Sequence, residues 1–103
     1  MDDVFKALAD PTRRQLLDAL RQQDGQTLAQ LCEHSAMSRQ AVTKHLNILI
    51  AAQLVVAMRE GRFKKHYLNP VPIQEIAERW VDQFRVLEVN ALLNLKQSLE
   101  ESS

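Results

Sequence analysis

Apolar positions recur along this chain at two spacings. In residues 38–52, SRQAVTKHLNILIAA, Val42, Leu46 and Leu49 fall at i, i+4 and i+7, the apolar stripe of a helix. Arg39, Gln40, Thr43, Lys44 and Asn47 lie mostly on the other side, and Ser38 stands where an N-cap belongs. Residues 3–9 form a short amphipathic piece with Val4, Phe5 and Leu8 on one side. Asp10 is the N-cap of a second helix, with Pro11 at the first helical position, and Leu16, Leu17 and Leu20 are its apolar residues through Gln22. Asp24-Gly25 closes it. Thr27 with Gln30 makes a capping box that opens a helix to about residue 34, with Leu28, Leu31 and Cys32 facing inward. Ser35-Ala36-Met37 is a turn.

After residue 52 the period changes to two. Residues 54–58 are β-prone, 59–62 turn, and 63–68 alternate, which predicts a β-hairpin over 54–68. Asn69-Pro70-Val71-Pro72 ends it. From residue 72 to 100, Ile73, Ile76, Trp80, Phe84, Leu87, Ala91, Leu95 and Leu99 step by three and four. Such a helix is about 40 Å long from 73 to 99, more than one small domain covers. Part of the stripe is expected in the core and the rest in pairing across a two-fold axis, the commonest oligomer symmetry. The predicted fold is mostly α: five helices and a two-stranded wing, a winged helix-turn-helix, dimeric.

At 103 residues the chain is long enough for one domain, taken as 1–103, with 2–9 and 72–100 as its dimerisation helices. No run of 18 apolar residues occurs and the first residues are acidic, so neither a membrane span nor a secretory signal is expected. The single cysteine excludes an internal disulfide and fits a reducing cytoplasm.

The net charge of zero conceals a block. Residues 38–69 hold six Lys/Arg against Glu60 alone, while both flanks are acidic. A central basic block is the electrostatic footprint that DNA requires. Ser38, Arg39, Gln40, Thr43, Lys44 and Asn47 offer donors and acceptors that suit base edges and phosphates. Arg62, Lys64 and Lys65, at the hairpin tip, suit the backbone or the flanking minor groove. Blander readings exist for each: a polar helix face can be merely solvated, and lysines on an edge strand also block aggregation. Arg13 and Arg14 are assigned equally to phosphate contact and to structural pairing. Two glycines leave no phosphate-cradling loop, and no nucleophile motif occurs, so no enzyme is expected. The alternative is a winged-helix module for protein or RNA interaction without operator binding.

The runs FKALADPTRRQLLDAL, TLAQLCEHSAMSRQAVTKHLNILIAAQLV and REGRFKKHYLNP resemble the ArsR/SmtB family of winged-helix transcriptional repressors. The most specific parts are residues 9–13, the helix from Ser38 to Leu49, and Glu60-Gly61-Arg62. The resemblance implies a homodimer paired through its first and last helices, with Val4, Phe5, Leu8, Trp80, Phe84, Leu87 and Leu92 packing the core and the dimer. It implies binding to an inverted-repeat double-stranded operator, with release by an effector that the sequence does not identify. Metal-sensing members carry clustered ligands. Here Cys32 stands alone on the helix before Ser38, and Pro70, Pro72, Gln83 and Val86 occupy the other ligand positions. His34, His45 and His66 are scattered, so no metal site and no cofactor are expected. The chain resembles the non-metal members.

Overall fold

The helices that open at Pro11, Leu28 and Arg39 each follow the cap that the sequence marks, Asp10, Thr27 and Ser38. The computed structural model describes residues 2–101, with the side chains at 81, 82, 85, 86, 88, 89 and 101 outside that description, Val86 among them. The order is α1 (Asp2–Leu8), α2 (Pro11–Gln22), β1 (Gln26–Thr27), α3 (Leu28–Glu33), α4 (Arg39–Ala51), β2 (Val55–Glu60), β3 (Phe63–Leu68), α5 (Val71–Ile76), a π-helical stretch Ala77–Val81, and α6 (Asp82–Glu101). Residues up to Pro72 form one compact unit and those from Ile73 another.

In the first unit Asp10 caps α2, its carboxylate accepting from the N–H groups of Thr12 at 2.8 Å and Arg13 at 3.2 Å. Loss of solvent pushes the Asp10 carboxyl up, but these two N–H groups, with the charge of Arg13, hold it below its usual value. Thr27 and Gln30 form the reciprocal capping box of α3. Ser38 accepts from Ala41 N–H at the start of α4.

The end of α4 is a Schellman motif. Leu54 N–H donates to the Leu49 carbonyl and Gln53 N–H to that of Ile50, with Gln53 in the left-handed region at φ +62°. The motif turns the chain straight into β2 and buries both Leu49 and Leu54.

Leu16, Leu17, Leu20, Leu31, Val42, Leu46, Leu49, Leu54 and Val55 make the core. On α1 the buried residues are Val4 and Ala7, while Phe5 is exposed and Leu8 half-buried. Of the expected group Val4, Phe5 and Leu8, only Val4 is buried in this chain. The short α1 places Val4 and Ala7, not the Phe5 ring, against the body.

The sheet has three strands in the order β1-β3-β2, not the expected two. The added strand is two residues long, pairing Gln26 with His66 and Thr27 with Lys65. It is held by side chains as well as by the ladder. The Gln26 amide donates to the carbonyls of Ala19 and Gln23, and Leu68 N–H donates to the Asp24 carboxylate. Gly25, at φ +74°, lies beneath the Tyr67 ring, which a Cβ there would approach to 3.1 Å.

In the second unit, the π-helical stretch interrupts what was expected as one helix over 72–100, giving six α-helical segments in place of five. The Trp80 and Phe84 rings lie 6.2 Å apart, tilted by 36°. Trp80, Phe84, Leu87, Leu92, Leu95 and Leu99 are all more than half exposed in this chain. Of the same stripe, Ile76 is half-buried.

Candidate nucleic-acid interface

α3 and α4 are separated by a short turn in which Ser35 N–H donates to Cys32 and Met37 N–H to the Ser35 hydroxyl. This is the helix-turn-helix pair, and burial of Val42, Leu46 and Leu49 fixes which side of α4 faces out. Arg39, Gln40, Lys44 and Asn47 are exposed, and none has a side-chain hydrogen bond or ion pair among the described residues. The Thr43 hydroxyl donates back to the Arg39 carbonyl at 2.9 Å. Its polar atom is engaged by the helix, which leaves the methyl as its outward chemistry.

β2 and β3 form the wing. Glu60 pairs with Phe63, so the connection is only Gly61-Arg62. Gly61 has φ +63°, and Arg62 is not among the residues of positive φ, as a type II′ turn requires. The Arg62 guanidinium stacks over the Phe63 ring at 5.6 Å.

The two neighbouring lysines of the wing differ. Lys65 pairs with Glu60 at 3.0 Å, and the same carboxylate accepts from the Tyr67 hydroxyl. The Tyr67 hydrogen bond, then Lys65, hold the Glu60 carboxyl below its usual value, and Glu60 in turn raises the Tyr67 phenol. Lys64 has no ion pair among the described residues and stands directly opposite Arg59 in the register. Opposed residues of an antiparallel pair share a face, and two like charges there are unfavourable without an anion between or beside them. Arg59 was counted in the basic block but not singled out; the register of the hairpin is the signal that finds it.

Between α4 and the wing lies a cleft of about 420 Å³, lined by Arg39, Thr43, Leu46 and Asn47 from one side and by Arg62, Phe63, Lys64 and His66 from the other. His66 is buried, and its Nδ1–H donates to the Gln26 carbonyl at 2.9 Å, which ties the base of the wing to β1. The sequence placed no role on it. Of the expected interface residues, Arg39, Thr43, Asn47, Arg62 and Lys64 converge on this cleft. Ser38, Gln40 and Lys44 are on α4 or its cap but not in the cleft lining, and Lys65 is engaged by Glu60.

Arg13 and Arg14 are structural. Arg13 donates to the carbonyls of Ala7 at 2.8 Å and Lys6 at 3.0 Å, and Arg14 to that of Leu8 at 2.7 Å. They satisfy the orphan carbonyls at the end of α1. The Arg13 side chain is only 14% exposed, which removes it from phosphate. Among the described residues no three His, Cys, Asp or Glu side chains gather where they could hold a metal ion. No described helix is long and apolar enough to cross a membrane.

Comparison with known proteins agrees with this geometry. The family pattern described as a helix-turn-helix domain matches residues 8–56. The chain is 40% identical over 75 residues to the transcriptional repressor SdpR of Bacillus subtilis, covering 73% of this chain and 82% of that one. An ArsR-like transcriptional regulator from Rhodococcus sp. RHA1 superposes with a TM-score of 0.76 at 32% identity, over 97% of this chain and 90% of that one. The cadmium metal-sensor CmtR from Mycobacterium tuberculosis has a TM-score of 0.60 at 34% identity, over 78% of this chain and 81% of that one.

Proposed function

The chain belongs to the ArsR family of winged helix-turn-helix DNA-binding transcriptional repressors, and we propose that it acts as a cytoplasmic homodimer on an inverted-repeat operator. In this reading α4 enters the major groove. Arg39 and Gln40 read base edges, with Thr43 offering its methyl and Lys44 a cation. Ser38, Asn47, Arg62 and Lys64 contact the backbone, Lys65 more weakly because of Glu60. Arg59 joins them, since its register partner is Lys64. The cleft between α4 and the wing straddles the phosphate ridge between the major and minor grooves.

The observation that carries the reading is the basic surface shared by α4 and the wing, on which Arg39, Lys44 and Lys64 have no ion pair among the described residues. It includes a directly opposed Arg59–Lys64 pair that a phosphate would relieve. A protein-binding surface would more often be apolar or acidic there.

The dimer forms through the π-helical stretch and α6, where Trp80, Phe84, Leu87 and Leu92 are exposed, together with Phe5 on α1. Val4 belongs to the core, and Leu8 lies at its edge. CmtR is a cadmium metal-sensor, whereas no three His, Cys, Asp or Glu side chains gather where they could hold a metal ion among the described residues of this chain.

Selection of bound fragments from random duplex DNA by the purified protein tests the reading. Enrichment of a two-fold symmetric sequence supports it. Failure to enrich any sequence contradicts it and leaves the interaction module.

A further inference from the structure

The DNA reading does not use Arg13, although residues 9–13 are among the most distinctive parts of the sequence. The Arg13 guanidinium is held at three points. It donates to two carbonyls at the end of α1, stands 3.9 Å from the Asp10 carboxylate that caps α2, and lies 3.2 Å from Nδ1 of His45 on α4. A guanidinium has no acceptor, so Arg13 Nη1 donates and His45 Nδ1 accepts. His45 must then be neutral, with its proton on Nε2.

We propose that the Arg13–His45 hydrogen bond is a positioning contact that fixes the recognition helix α4 to α1, and through α1 sets the separation of the two recognition helices in the dimer. This rests on the homodimeric DNA-binding reading. The apolar contacts of Val42, Leu46 and Leu49 hold α4 on the core, but apolar attraction has no direction and tolerates small rotations. A hydrogen bond to a ring nitrogen restricts both distance and angle. His45 sits on α4 between the buried stripe and the exposed base-reading face, so its anchoring governs how that face is presented. The partner end of the bond is already immobilised, since Arg13 is spanned between α1 carbonyls and the α2 cap. Its side chain is largely shielded, so water competes poorly for it.

Protonation of His45 would remove the acceptor and place a cation against Arg13. The charged groups facing it are Arg13 from α2 and Asp10 from the α2 cap, while Lys6 contributes its carbonyl from α1. Asp10 partly offsets the repulsion without restoring the hydrogen bond.

The test uses the full chain, an operator obtained by selection, and the same operator with one base pair inserted between its half-sites. Wild-type protein should lose about tenfold or more in affinity on insertion, because half-site spacing is a geometric match. His45→Leu, which cannot accept, should fall below about threefold discrimination while still binding random DNA like wild type. His45→Asn, whose amide oxygen can replace Nδ1, should restore the discrimination.

Equal discrimination by wild type and His45→Leu, or no rescue by Asn, would overturn the proposal. Should His45→Leu fail to fold, nitrogen chemical shifts of the wild-type imidazole at pH about 8 decide: an unprotonated Nδ1 supports the contact and a protonated Nδ1 overturns it. Absence of any operator binding by wild type is a separate failure, that of the DNA reading itself.

Discussion

Lys65 donates to Glu60 at 3.0 Å across the wing, which sets it apart from its neighbour Lys64. The two residues read as equals in the sequence and are not equals in the fold. Lys64 faces the cleft opposite Arg59, and Lys65 is occupied on the other face of the hairpin. A half-exposed pair of this kind contributes little to stability, so Lys65 is not locked, but DNA must compete with Glu60 for it.

Replacing Lys64 by Ala should weaken operator and random DNA alike and flatten the slope of log affinity against log salt by about one unit per subunit. Lys65→Ala should change that slope by about half as much or less. Titrations of both variants at several salt concentrations check this. An equal or larger effect of Lys65 would show that Glu60 releases it on binding.

The exposed row on α6 predicts an assembly. Sedimentation at micromolar concentration should show about twice the chain mass of 11.8 kDa. Leu92→Glu places a charge in the helix pairing, so it should shift the protein toward monomer and weaken operator binding far from any DNA contact. A wild-type monomer at that concentration would remove the dimer and the two-half-site operator together.

The helix pair, the hairpin and every cap from Asp10 to Ser38 were legible because each is a local code, a polar cap before an apolar period. What escaped was non-local or too short to carry a period. β1 is two residues long and exists because His66, forty residues away, pairs with Gln26. Gln26 reads as a surface residue, yet it is buried because its amide finds two carbonyls. The preference for Ala7 over Phe5 follows from how closely α1 approaches the body. Arg13 offered two roles in the sequence, and only the carbonyls of α1 decide between them. The π-helical stretch at Ala77–Val81 has no sequence signal that periodicity could read.

Gln53 is the one non-glycine residue with positive φ among those described, and it occupies the Schellman position that glycine favours. Gln53→Gly should relieve about 1–2 kcal/mol of left-handed strain. Offset by the freedom glycine adds to the unfolded chain, the net gain should be about 0.5–1 kcal/mol. A urea midpoint that rises without a change in slope verifies it; a fall would mean the Gln53 side chain contributes a contact that outweighs the strain.

Operator affinity should be indifferent to zinc, cadmium or arsenite at low micromolar concentration, since four-ligand sites need clustered thiolates, imidazoles or carboxylates. Release of DNA by any of these, lost in Cys32→Ser, would place a ligand set across the dimer with Cys32 in it.

Arg39 is the residue on which base reading by α4 depends most. It sits in the first turn after the Ser38 cap with an exposed guanidinium that has no partner among the described residues. A bidentate contact to guanine discriminates by about 1–3 kcal/mol, whereas a phosphate contact carries no direct sequence information. The measurement is the affinity of wild type and Arg39→Ala for operator and scrambled DNA. Arg39→Ala should lose about tenfold or more per half-site on operator and nearly nothing on scrambled DNA. An equal loss on both would contradict it, reducing Arg39 to a phosphate contact and leaving α4 without its proposed reading face.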